Sequence, residues 1–165
     1  MISSLPNLIK SINKHITLKN LVKSTFSLRD VIPIINDYNG EDWQKYKRYT
    51  FPKSTPFESF RSIPVNIPHQ YSGIYNINII IWYPLVGYSQ FQSDKNCESV
   101  LKILEGEILD YKFYNEAYPQ SASISKKNIN EILYTKTIEN NPHYTGYCNI
   151  LCNYTRPTYS LNIVS

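Results

Sequence analysis

The feature that most constrains this chain is a change of periodicity near Phe51. Before it, apolar residues recur at helical spacing; after it, they come in short runs punctuated by prolines and turns. Leu5, Leu8, Ile9, Ile12 and Ile16 form one stripe, with Lys10, Asn13 and Lys14 between them. Ser27 is a candidate N-cap for Leu28-Arg29-Asp30-Val31-Ile32, and Pro33 suits only a first helical turn. Ile34, Ile35 and Tyr38 continue the stripe until Asn39-Gly40 stops it. A short third helix is predicted over Glu41–Lys47, with Trp43 and Tyr46 on one side.

Beyond Phe51, prolines at 52, 56, 64, 68 and 84 forbid long helices. Strands are predicted at Tyr75–Trp82, Val100–Leu104, Ile108–Tyr114, Ile132–Ile138, Tyr147–Leu151 and Tyr159–Val164. Glu105-Gly106-Glu107 reads as a turn and Pro119–Asn130 as a polar loop. Helices followed by closely spaced strands imply an α+β chain ending in a β-sandwich or barrel. A length of 165 residues fits one domain, 1–165, with a helical part over 1–50 and a β part over 51–165.

Composition narrows the class. With 42% hydrophobic and 18% charged residues, the chain can pack a core, which excludes disorder. A net charge of +4, from 17 bases and 13 acids, is too mild to mark a nucleic-acid surface. No apolar run reaches the roughly 18 residues of a spanning helix, and Met1–Ile9 lacks the pattern of a secretory signal. Cys97, Cys148 and Cys152 make no disulfide framework without such a signal. The expected compartment is the cytoplasm, with no nucleic-acid or membrane partner. Ile occurs 22 times, Asn 17, Tyr 15 and Lys 13 against two Ala, so codon bias lowers the information in any single Asn, Lys or Tyr.

Five segments in order carry a family resemblance. They are Leu5–Ile12 (LPNLIKSI), Tyr38–Thr50 (YNGEDWQKYKRYT), Gly73–Trp82 (GIYNINIIIW), Val100–Ile108 (VLKILEGEI) and Arg156–Ser165 (RPTYSLNIVS). Together the chain resembles the cysteine dioxygenases, cupin-fold, iron-dependent thiol dioxygenases. The resemblance implies helices packed on a cupin-type double-stranded β-helix. Because the family continues past the position of Ser165, the barrel is expected to be incomplete at its C-terminal end, leaving an unpaired edge near Tyr159–Val164.

The chemistry departs from that family. Its iron is held by three histidines, two of them in a His-x-His pair after the Trp-containing strand. Counted back from Gly106 that pair falls on Gln92 and Asp94; counted forward from Trp82 it falls on Phe91 and Ser93. The third ligand falls on Tyr147 or a neighbour, with His143 nearby. An amide, a carboxylate and a phenol do not replace three imidazoles on Fe(II). The family's coupled cysteine and tyrosine correspond to Ser99 and Val164, and a histidine behind the site corresponds to Asn162, whereas Ser160 matches. Arg61, in FRSIP, matches an arginine that holds the substrate carboxylate.

Each of these residues also has a plain structural reading. Arg61 can be a surface arginine, and Gln92 and Asp94 solvated turn residues, since two oxygens are far from a calcium set. Cys148 and Cys152, with His143, lack the second paired motif of a zinc site and read as core thiols. His15 and His69 read as ordinary polar positions. No phosphate loop, nucleophile elbow or His-Glu-x-x-His motif points to another enzyme class.

The expectation is a cysteine dioxygenase-like pseudoenzyme that has lost its iron site, with no catalytic residue and no cofactor. Arg61 remains as a binding residue for a small amino-acid-like carboxylate. One alternative is an active Fe(II) enzyme oxidising cysteine with O2 to cysteine sulfinate. Another is a non-catalytic cupin that binds a small molecule or a partner.

Overall fold

The computed structural model describes residues 1–55, 58, 60–84, 89–91, 97–113, 123–136, 147–152 and 156–165. Helix α1 spans Leu5–Leu21 and begins where Ser4 Oγ accepts from the Asn7 N–H, with Pro6 in the first turn. Its stripe Leu5, Leu8, Ile9, Ile12 and Ile16 is buried, as the spacing predicts. Ser27 caps a 3₁₀ turn at Leu28–Val31 that runs into helix α2, Ile32–Asn36. The third helical segment is a 3₁₀ helix, Asp42–Tyr49, which buries Trp43.

Among the described residues nine strands follow: β1 Phe60–Val65, β2 Asn76–Trp82, β3 Ser89–Phe91, β4 Glu98–Glu105, β5 Ile108–Phe113, β6 Ser123–Lys127, β7 Ile132–Lys136, β8 Tyr147–Cys152 and β9 Thr158–Val164. They form two antiparallel sheets, β1-β2-β9-β4-β7 and β3-β8-β5-β6. The pairs β2–β9, β3–β8, β4–β7 and β5–β6 nest one inside the next, as in a single long hairpin. The β4–β9 and β5–β8 pairings then roll that hairpin into two sheets. This order is that of the jelly roll, the double-stranded β-helix of the cupins. The chain is therefore an α+β protein with helices on a cupin-type jelly roll, and β1 is an extra edge strand.

Three sequence expectations change. The barrel is not open beside Tyr159–Val164: β9 is central, bonded to β2 on one side and β4 on the other. The edges of the larger sheet are β1 and β7. Pro119–Asn130 is not all loop, because Ser123–Lys127 pairs with β5. Strand β1 was not expected, since Pro64 sits inside it; an edge strand tolerates proline because one row of its N–H groups needs no ladder partner.

The central strands of the larger sheet are buried on both faces, which is why β2 ends in the continuous apolar run Ile79–Trp82. Its outer face, through Ile77, Ile79, Ile81, Val100, Leu161 and Ile163, packs on Leu5, Leu8, Ile12, Leu28 and Ile35 of the helical layer. Its inner face contributes Ile80, Trp82, Leu101, Ile103 and Leu133, which cluster with Ile108 of the second sheet. The turn after β4 depends on Gly106, whose φ is +84° and whose missing side chain leaves room for Thr158. The Thr158 hydroxyl bonds the Glu107 N–H at 3.1 Å and its carbonyl at 2.9 Å.

Two charged side chains pin the helices to β4. The Lys102 ammonium, 2% exposed, donates to the carbonyls of Ile35, Asn36 and Tyr38 at 3.2, 2.8 and 2.5 Å. It thereby caps the end of α2 with positive charge. The Glu98 carboxylate accepts from the Ser27 hydroxyl at 2.8 Å, the Leu28 N–H at 2.6 Å and the Tyr134 hydroxyl at 3.1 Å. Lys136 adds an ion pair at 3.1 Å. Among the described residues no helix is long and apolar enough to cross a membrane.

Candidate functional site

In a jelly roll the space between the two sheets is where ligands are held, so the inner face of the larger sheet is the candidate site. Side chains alternate along each strand, and the registers set them in cross-strand rows. Asn76, Val164, Ser99 and Thr135 form one row, Asn78, Asn162, Leu101 and Leu133 the next, and Ile80, Ser160 and Ile103 the third. Trp82 lies beyond them and donates its indole N–H to Ser160 Oγ at 2.8 Å. Ser99 Oγ and Thr135 Oγ1 share a hydrogen bond of 2.6 Å. These rows hold neutral donors and acceptors and no acidic or basic side chain.

One polar atom here is unsatisfied. Asn162 is 2% exposed, and its Oδ1 has no hydrogen-bond partner among the described residues. Its backbone neighbours Leu161 and Ile163 turn to the helical layer, so the amide turns inward, between Asn78 and Leu101. A buried carbonyl oxygen without a donor costs about 1–3 kcal/mol, which a donor placed between the sheets would recover.

The sequence-derived positions distribute as follows. Ser99 and Val164 are directly opposite across β4 and β9, and Ser160 and Asn162 continue the same face. Tyr147 is the first residue of β8 and lies opposite Phe113. Gln92, Asp94 and His143 lie outside the described residues, as does Ser93; Phe91 ends β3. Cys148 and Cys152 both belong to β8.

Arg61 is on the other side of the sheet. It pairs with Ile81, a residue of the outer core, and its guanidinium is occupied within the chain. Nε and Nη2 grip the Glu58 carboxylate at 2.8 and 2.7 Å, and Nη2 reaches Pro52 O and Ser54 Oγ at 3.0 and 3.2 Å. Nη1 donates to Tyr49 O. Hydrogen bonding from Arg61 holds the Glu58 carboxyl below its ordinary range, despite some opposing burial. The carboxylate that Arg61 holds here belongs to its own chain.

The donor set decides how iron fits. The chain has three histidines, and two of them are placed outside the jelly roll: His15 in α1, and His69 in the 3₁₀ turn His69–Tyr71. At most one imidazole is left for the space between the sheets, so a three-histidine iron site does not fit. Among the described residues no three His, Cys, Asp or Glu side chains come together.

Lys102, Glu98 and the Asn162 orphan were not singled out from sequence for these roles. Lys102 carried a signal: a lysine at the outer-facing position between Val100 and Leu104, inside an apolar run.

No family model matches the chain, and no curated protein matches it. Solved structures similar to it include the cupin_2 domain of an XRE family transcriptional regulator from Enterobacter cloacae. That match has 12% identity and a TM-score of 0.45, over 65% of this chain and 96% of that one. An oxalate oxidase in complex with the substrate analogue glycolate matches at 12% identity and a TM-score of 0.49, over 67% of this chain and 52% of that one. Hydroxypropylphosphonic acid epoxidase from S. wedmorenis matches at 7% identity and a TM-score of 0.47, over 64% of this chain and 50% of that one. The match thus spans about half of each of these two enzymes. The fold assignment rests on the strand order and not on these likenesses.

Proposed function

We propose that this chain is a cysteine dioxygenase-like cupin without that family's iron-binding histidines, and that it does not oxidise thiols. The observation that carries the proposal is the register of β4 and β9. It sets Ser99 against Val164, the two positions where the resembled family couples a cysteine to a tyrosine, with Ser160 and Asn162 beside them. At these four positions the chain carries neutral side chains. The positions aligned with the metal ligands, Gln92, Asp94 and Tyr147, supply no imidazole.

Without the three imidazoles, the ligand set that in the resembled family holds iron with open positions for thiolate and O2 is not reproduced. Purified protein exchanged into Fe(II) under anaerobic conditions is expected to retain no stoichiometric iron on elemental analysis. Cysteine should cause no oxygen uptake and yield no sulfinate. About one iron per chain together with sulfinate formation would establish the active enzyme instead.

A second reading, a non-catalytic cupin that binds a small molecule, is favoured by the Asn162 orphan oxygen. The ligand would present an N–H or O–H donor, and a small amino acid is one candidate. Isothermal titration with cysteine and its non-thiol analogues tests it: heat lost in Asn162→Leu supports binding, and no heat with wild type rejects it for these compounds.

A further inference from the structure

The net charge of +4 is concentrated at one end of the sequence. Residues 1–29 contain Lys10, Lys14, Lys19, Lys23 and Arg29 but no Asp or Glu, so the remaining 136 residues carry 12 bases and 13 acids. Helix α1 holds three of these lysines. Lys19 is paired with Asp30 at 3.0 Å. Lys10 and Lys14 are exposed, and among the described residues neither has an ion-pair partner. One helical turn apart, they present two uncompensated charges on the same face.

That face borders an open groove of about 660 Å³ between α1 and the segment around Pro68–Tyr71. Pro6, Ile9, Leu18 and Tyr71 supply its apolar lining, with Lys10 and Lys14 at its margin. The Tyr71 hydroxyl is bonded to Thr17 Oγ1 at 3.1 Å, which fixes the far wall to the helix. The groove runs out at Leu18, which is 53% exposed, and the apolar surface continues through Leu21 and Val22, 74% and 71% exposed. Three of the seven large apolar side chains exposed among the described residues thus fall within five positions of one helix end. Clustering of this kind beside a concave surface marks a docking site.

We propose that this groove and the Leu18–Val22 end of α1 dock a segment of a partner protein carrying leucine- or phenylalanine-type side chains interleaved with Asp and Glu. Apolar side chains would fill the groove, and the acids would meet Lys10 and Lys14, which pair with no acid among the described residues. A flat lipid surface is a poorer fit. The site is concave, and the broad apolar face of α1 (Leu5, Leu8, Ile12 and Ile16) is buried in the core and unable to turn to a bilayer.

The test titrates the isotopically labelled full chain with a short synthetic peptide of Glu, Asp, Leu and Phe. One control peptide has Lys for every acid, and another has Ser for every Leu and Phe. Only the first peptide should bind, with amide shifts confined to α1 and residues 66–71 and with affinity falling as salt rises. Lys10→Glu with Lys14→Glu should weaken binding about tenfold, and Leu18→Ser should do so independently. All three positions are exposed, so far-UV circular dichroism should show the variants folded as wild type. Shifts elsewhere, equal binding of the Lys-containing control, or indifference to Lys10→Glu/Lys14→Glu would overturn the proposal. So would self-association of the chain through this face, or capture by phosphatidylserine vesicles with no binding of the acidic peptide.

Discussion

Lys102→Met separates charge from bulk at the point where the helical layer is bolted to the jelly roll. Methionine nearly matches the length of the lysine stem, so packing between α2 and β4 is kept while the three donors are lost. The Ile35 carbonyl retains the Tyr38 N–H, so it is the Asn36 and Tyr38 carbonyls that lose their donor. Asn36 is exposed, so its carbonyl can turn to water, whereas the buried Tyr38 carbonyl left unsatisfied costs about 1–3 kcal/mol. Against this, wild type bears the cost of a buried ammonium: desolvation lowers the Lys102 pKa, with the nearby Asp37 carboxylate opposing that shift only in part. Removing the charge returns part of the loss, which leaves a net destabilisation of about 1 kcal/mol at neutral pH. The pH dependence follows from the direction of the shift. Between its lowered folded pKa and its ordinary unfolded value, Lys102 is protonated more often in the unfolded chain, so rising pH favours the folded state through that window. Wild type should therefore gain on Lys102→Met as pH climbs from neutral towards the ordinary lysine pKa. Urea unfolding monitored by tryptophan fluorescence at several pH values measures both quantities. A variant as stable as wild type at pH 7, or a gap that narrows with rising pH, would refute the assigned role.

The remaining expectations are narrower. Burial opposes ionisation of Glu98, but hydrogen bonds from Ser27, the Leu28 N–H, Lys136 and Tyr134 outweigh it and lower the pKa. The stability it adds is present above the ordinary carboxylate range and lost as pH falls through the folded pKa, and Glu98→Gln should flatten that acid limb and cost about 1–2 kcal/mol at pH 7, read from acid-unfolding curves. Gly106→Ala combines a positive φ with collision against Thr158 and should cost about 2–4 kcal/mol in chemical denaturation. Asn162→Leu removes the orphan oxygen without opening a cavity and should raise ligand-free stability by about 1 kcal/mol, seen as a higher melting temperature.

Strand β2 was legible from its apolar run Ile79–Trp82, and β4 and β9 from short apolar stretches rich in Val, Leu and Ile. Helix α1 was legible because only one of its faces is buried. Strand β1 was hidden by Pro64, whose prohibition on strands lapses at a sheet edge. Strand β6, Ser-Ile-Ser-Lys-Lys, is too short and polar to show a period. At the site, the resemblance placed Ser99, Ser160, Asn162 and Val164 on strands that do meet. It did not reveal that Arg61 faces the helices, because the face of a strand residue depends on register, and β1 had no register until its partner was known. The Asn162 orphan is a property of what fails to lie nearby, which a linear pattern does not encode.

The central position of β9 bears on how the chain reaches this structure. Its partners in β2 lie roughly eighty residues upstream, whereas β5 and β6 are joined locally, so closure of the long hairpin begins cheaply at its tip and ends with its most distant pair. Until β9 docks, Leu161 and Ile163 are missing from the surface on which α1 and α2 pack. Helices α1 and α2, which precede β1 in the chain, are thus among the last elements to find their place. Refolding should show the helical layer consolidating in the final phase, with mutations in β9 slowing folding less than they speed unfolding.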